Sequence, residues 1–358
     1  MRAGLFVAFA IVACGRTDLD FDDASSRSPP PGAGTNNGAV DAGHDAGKPC
    51  EWHPRSPATY PGGVAPSTVA IGDLNGDGNA DIAVNNYGVG TAGLYVQTLR
   101  NQGDTTFTVD TTIPSTVAFS MAIGPFVSSD ADLLVGCDLF ANNGDGTFAP
   151  TIDYGSRCGF QNSWANLATA DFDGDGERDF AWGLGSEVVV YLNRRQGVFR
   201  EVDTQFSDDT PYSTTLASAD FDRDGHIDLA AASTGYGNPN IISVLYGRGD
   251  GTFDVTTIDM GDTLPQAIAA GDVNGDGLAD LVLSTAAPWG VEIRPRRAAG
   301  TFGAPTAVAS SAWGDLGILL GDLDGDGDSD IVAIDSYTDQ RGGVQGGCSA
   351  RLVEHQSR

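Results

Sequence analysis

The chain has 358 residues, 41% of them hydrophobic, and a formal net charge of −29. It is long enough to bury a sizeable core, and such acidity without a basic stripe disfavours nucleic acid as a partner. Four histidines leave little material for a hydrolase that needs a nucleophile beside a positioned imidazole.

The N-terminus opens with Met1-Arg2 and an apolar run from Leu5 to Ala13, too short to span a bilayer as a mature helix. Ile11-Val12-Ala13-Cys14-Gly15 resembles a bacterial lipobox, which implies cleavage before Cys14 and acylation of that cysteine. More than one acyl chain on one residue would anchor stably. The expected organisation is a signal peptide over 1–13, a lipidated Cys and tether over 14–49, and a folded domain over 50–358. Residues 16–49, with Pro29-Pro30-Pro31 and Asp41-Ala42-Gly43 followed by Asp45-Ala46-Gly47, carry too little apolar surface to fold. As a flexible coil they would hold the domain about 30–35 Å from the bilayer. Gly15 is not an acidic retention signal, so the outer membrane or cell surface is expected, with a periplasmic or secreted protein as the alternative.

From residue 73 onward one pattern, Asp-x-(Asp/Asn)-x-Asp-Gly-x-x-Asp, occurs five times. Successive copies begin at Asp73, Asp171, Asp220, Asp272 and Asp322, so the later spacings are 49, 52 and 50 residues and the first is 98. The double gap hides a sixth, degenerate copy at Ser120–Phe148, and a fixed period near 50 residues marks a repeat array. Calcium takes six to eight oxygen ligands from a short, sharply turned loop. Positions 1, 3 and 5 supply them: Asp73, Asn75 and Asp77; Asp171, Asp173 and Asp175; Asp220, Asp222 and Asp224; Asp272, Asn274 and Asp276; Asp322, Asp324 and Asp326. Position 6 is always Gly, for a turn that needs positive φ. Position 7 varies freely (Asn79, Glu177, His226, Leu278, Asp328), which suggests a backbone carbonyl ligand there. Position 9 is always Asp (Asp81, Asp179, Asp228, Asp280, Asp330), where a closing carboxylate would sit. About five Ca²⁺ are expected, and they would offset ten of the negative charges. The degenerate loop from Pro125 to Asp132 has lost most ligands and one residue, so no ion is expected in it.

Short runs of small and β-branched residues flank every loop, such as Val69-Ala70-Ile71 before the first and Ile82-Ala83-Val84 after it. A third strand follows, as in Val188 to Leu192, and then a Gly-Asp-Gly-Thr-Phe turn, intact at Gly144–Phe148 and Gly249–Phe253. Four short strands per period without helix predict an all-β propeller. Six blades are expected, with seven the alternative, and Pro57–Pro61 is read as an outer strand donated to the last blade.

These motifs resemble the bacterial FG-GAP or VCBS repeat proteins, relatives of the integrin α-subunit propeller, over roughly residues 52–350. The resemblance implies a β-propeller with calcium in hairpin loops on one rim, and it implies no single activity. Departures are the degenerate second loop, the absence of a full Phe-Gly…Gly-Ala-Pro signature, and Arg223 inside the fourth loop.

Cys50, Cys137, Cys158 and Cys348 remain after Cys14, an even number that suggests two disulfides among three connectivities in an exported chain. Cys50 with Cys348 would lock the ends of the ring, and Cys137 with Cys158 would brace the second blade. The clusters Arg194-Arg195 and Arg294/Arg296/Arg297 are read as solvated outer-strand residues. Function is expected to be that of a surface-anchored adhesion or interaction module, monomeric, for a protein or glycan, and not an enzyme. Its membrane contact would be through the lipid anchor alone. The alternatives are a calcium-dependent lectin, with Trp164, Trp182, Trp289 and Trp313 as candidate sugar platforms, and after it a polysaccharide lyase or hydrolase.

Overall fold

The computed structural model describes residues 66–86, 93–103, 106–115, 120–136, 138–152, 154, 167–206, 213–234, 240–286, 289–297, 300–310, 315–321, 329–338 and 346–353. The signal peptide, Cys14, the tether, the donated strand at 57–61, three of the four disulfide cysteines and the loop at 322–328 lie outside the described residues. Cys348 falls on a described strand.

Each repeat folds as one antiparallel sheet. The first is β1 (Pro66–Gly72), β2 (Asp81–Asn86), β3 (Tyr95–Asn101) and β4 (Phe107–Pro114), in that order. The second has three strands, β5 (Met121–Gly124), β6 (Asp132–Val135) and β7 (Asp138–Phe140). The third is β8 (Leu167–Ala170), β9 (Asp179–Leu184), β10 (Glu187–Asn193) and β11 (Phe199–Gln205). The fourth is β12 (Ser213–Ala219), β13 (Asp228–Thr234), β14 (Ile241–Gly247) and β15 (Phe253–Asp259). The fifth is β16 (Pro265–Gly271), β17 (Asp280–Ala286), β18 (Trp289–Arg294) and β19 (Thr306–Ser310). The last is β20 (Asp315–Gly321), β21 (Asp330–Thr338) and β22 (Gly346–Val353).

Sheet packs on sheet in chain order. First strands lie side by side, β1 with β5, β12 with both β8 and β16, and β16 with β20. Second strands are buried on both faces, which is why they read as unbroken apolar runs of small residues, whereas β11 and β15 are largely exposed and alternate with Thr and Asp. Leu229, Ala231 and Leu245 of the fourth sheet meet Val188, Val190 and Leu192 of the third. Ala230, Ala232 and Val244 on the opposite face meet Ile268, Leu281 and Leu283 of the fifth. The first sheet has Ala83 and Val96 against the second, and Ile82, Val84 and Leu99 of its other face are buried as well. Radial repetition of such sheets leaves only short outer edges, as a propeller requires.

Candidate metal-binding loops

The hairpin register places every loop alike. The residue before position 1 pairs with the position-9 Asp: Gly72 with Asp81, Ala170 with Asp179, Ala219 with Asp228, Gly271 with Asp280 and Gly321 with Asp330. In the degenerate copy Gly124 pairs with Asp132, so its loop spans 125–131, one residue shorter than 73–80.

Position 1 shapes the loop from within. In the third sheet Asp171 Oδ1 accepts from the N–H groups of Gly174 (2.8 Å) and Asp175 (3.1 Å), and Oδ2 accepts from Gly176 (2.8 Å). Asp73 and Asp272 repeat this arrangement. Position 5 then accepts from the position-7 N–H, as Asp175 does from Glu177 at 2.9 Å. Both turns need left-handed backbone, at positions 4 and 6: φ is 74° and 87° at Gly174 and Gly176. The fourth loop meets the first requirement with Arg223 at φ 64°, a strained non-glycine whose guanidinium bonds the Gly277 carbonyl of the neighbouring loop.

Position 9 ties the loop to the end of the third strand. Asp179 Oδ2 accepts from Phe172 N–H at 2.8 Å, and Oδ1 accepts from Asn193 N–H at the end of the third strand at 2.7 Å. Asp81, Asp228 and Asp280 make the same pair of bonds with Leu74 and Asn101, Phe221 and Gly247, and Val273 and Arg296. Asp132 makes them too, with Phe126 (2.9 Å) and Asn142 (2.8 Å), in the loop that has lost its other ligands. The clamp therefore does not depend on a metal site. Burial pushes all five carboxyls up: Asp179 to about 7, Asp228 and Asp280 to about 6, and Asp81 and Asp132 in the same direction. For Asp179 the charges of Asp173 and Asp171 add to that burial.

Carboxylate oxygens of Asp171, Asp173 and Asp179 lie within 4.8 Å of one another, as do those of Asp220, Asp222 and Asp224. Two oxygens on opposite sides of a calcium ion, each about 2.4 Å from it, would be separated by a similar distance. Asp173 Oδ1 is buried and has no hydrogen-bond partner, a costly state for a carboxylate oxygen unless a cation completes it. An all-oxygen donor set on a tight Gly turn suits a hard cation such as calcium. Arg194 partly answers the charge of the third loop, with Nη2 at 2.6 Å from Asp173 and Nη1 at 2.9 Å from Asp175. Arg195 pairs with Glu177 at 2.7 Å.

Of the predicted ligand positions, the structure brings together Asp171, Asp173 and Asp179 in the third loop and Asp220, Asp222 and Asp224 in the fourth; the first and fifth loops show the same hydrogen-bonded turn, and residues 322–328 lie outside the described residues. Two expectations are corrected. Trp182 is buried between the second and third sheets, where it offers no face to a sugar. Arg294 and Arg296 are 7% and 3% exposed, not solvated: Arg294 pairs with Glu292 on its own strand, and Arg296 packs against Tyr246 of the neighbouring sheet. Arg194 is exposed, as read, and also engages the third loop. The position-2 side chain went unread: Leu74, Phe126, Phe172, Phe221 and Val273 each plug the core between their own sheet and the next. Its constant apolar character was the available signal. Asn142 and Asn193 form a second unread feature. Their Nδ2 groups donate to the preceding sheet's Leu74 carbonyl (2.7 Å) and Phe126 carbonyl (2.9 Å), bridging adjacent loops.

Sheets of this pattern, with acidic loops in their first hairpins, define an all-β protein of the β-propeller class. The FG-GAP-like repeat matches residues 171–231 and 220–283, and the FG-GAP repeat matches residues 65–103. The chain carries FG-GAP-type repeats and is a β-propeller-like repeat protein. It is similar to cartilage acidic protein 1 of Mus musculus, 29% identical over 188 residues, which make up 47% of this chain and 29% of that protein. The match thus spans under a third of the relative's length. Among solved structures it is similar in fold to an Agrocybe aegerita lectin described as recognising non-reducing terminal N-acetylglucosamine. That likeness has a TM-score of 0.53 at 20% identity, and it covers 81% of this chain and 80% of the other.

Proposed function

We propose that the chain is a calcium-binding β-propeller, exported and held at the cell surface, that presents its rim as an interaction module for a protein or glycan. The observation that carries the calcium reading is the buried, unpartnered Asp173 Oδ1 inside the cluster of Asp171, Asp173 and Asp179. Repeats of this type and a propeller-shaped neighbour support a binding role over a catalytic one. His226, the one histidine among the described residues, stands exposed in the fourth loop. Five loops would each hold one ion, leave the second sheet without metal, and close a six-bladed ring. Calcium that binds the folded loops and hardly the unfolded chain raises stability through mass action. Thermal melts of the full chain in calcium and in chelator test this, beside Asp173→Asn. Calcium should raise the melting temperature, and the variant should lose part of the gain. A melting temperature indifferent to both would contradict the reading.

A further inference from the structure

A cavity of about 520 Å³ opens between the fourth and fifth sheets, away from the clustered carboxylates of the third loop. Its apolar wall is Val244, Ile258 and Phe302, and Thr256, Thr257 and Thr301 add hydroxyl groups at the exposed rim. Arg296 also lines it, only 3% exposed. The guanidinium is fixed from three sides: Nη1 donates to Tyr246 Oη at 2.9 Å, and Cζ lies 4.8 Å from the Phe302 ring centre and 5.5 Å from that of Tyr246. Its own backbone N–H is clamped to Asp280 at 2.7 Å. A guanidinium has five N–H donors in a rigid fork, and a buried cation is costly unless an anion meets it. Among the described residues no carboxylate pairs with Arg296. Asp222 reaches the same cavity, but it stands in the cluster assigned to the metal of the fourth loop.

We infer that this cavity binds a carboxylate-bearing sugar unit, with Arg296 holding the carboxylate, Phe302 and Ile258 covering the ring face, and the threonines meeting its hydroxyl groups. The volume lies in the range of small-ligand sites, and a planar fork preset by stacking suits bidentate capture of a carboxylate. The inference rests on the reading of the propeller as an interaction module and names a ligand class for it.

Titration of the calcium-saturated full chain with D-glucuronate, D-glucose and inorganic phosphate, followed by ligand-observed NMR and calorimetry, tests it. Saturable binding of glucuronate is expected, with glucose and phosphate at least tenfold weaker. Arg296→Gln should weaken glucuronate binding at least tenfold. Thr301→Glu, at an exposed position, should do the same by adding a repelling charge. No saturable glucuronate binding, equal binding of glucose, tighter binding of phosphate, or binding unchanged in Thr301→Glu would overturn the proposal. Failure of the calcium reading would show separately, as a melting temperature indifferent to calcium.

Discussion

Replacing Asp132 by Ala isolates the clamp from the metal, because the second loop keeps this carboxylate and lacks the other ligands. The side chain is fully buried, and its oxygens accept from Phe126, Val127, Ser128 and Asn142 at 2.9, 2.6, 3.4 and 2.8 Å. Phe126 N–H also reaches the Gly124 carbonyl at 3.0 Å, and the Ser128 contact is long. Val127 and Asn142 are therefore the donors that lose their acceptor. A buried donor left unsatisfied costs about 1–3 kcal/mol, and the half-buried Val127 N–H costs less than the buried Asn142 N–H, so the two together cost roughly 2–5 kcal/mol. Removing a carboxyl that burial already holds above its usual pKa returns part of this. The expected net loss is about 2–4 kcal/mol, with Asp132→Asn near half of that because one acceptor oxygen stays. Guanidinium denaturation of both variants measures it, once with calcium and once with chelator. The loss should be the same in the two buffers. A change below about 0.5 kcal/mol, the range of an ordinary surface substitution, would refute the clamp, as would a loss seen only in calcium.

Further outcomes follow from the same geometry. In chelator, Asp179, Asp228 and Asp280 have folded pKa values of about 7, 6 and 6 against an ordinary 3.8, so the folded chain binds more protons between those limits. Stability should then fall as pH rises from about 4 toward 7. Saturating calcium should flatten the profile by pairing the ionised carboxylates, and a flat profile in chelator would count against it. Arg194→Ala removes the guanidinium from Asp173 and Asp175, so calcium should bind the third loop several-fold more tightly; calorimetry showing weaker binding would show that Arg194 assists the ion instead. Palmitate-analogue labelling in cells should depend on Cys14, and undiminished labelling of Cys14→Ser would remove the lipid anchor.

The fold was readable because it repeats: a weak strand signal occurring six times at one period needs no long-range information. The acidic turn was readable for a related reason, since carboxylates that accept the loop's own N–H groups demand particular side chains at fixed positions of one turn. The clamp was only half readable. Asp179 could be placed at the site, but its partners are the backbone N–H groups of Phe172 and Asn193, and a backbone donor leaves no residue signature. Arg296 was misread because its burial is decided by Tyr246 and Phe302, the first of them 50 residues away on the adjacent sheet. Local charge along the chain carries no trace of such a neighbour. The plug at position 2 was legible in principle, as Leu74, Phe172, Phe221 and Val273 are apolar in otherwise polar loops.

The most direct test counts the ions. Elemental analysis of the purified full chain, dialysed against calcium and then freed of unbound metal, should give about five calcium per chain, and Asp173→Asn with Asp222→Asn should bring it to about three. Six per chain would mean that the second loop binds after all. Fewer than four, or a count unmoved by the two substitutions, would contradict the assignment of the acidic loops as calcium sites.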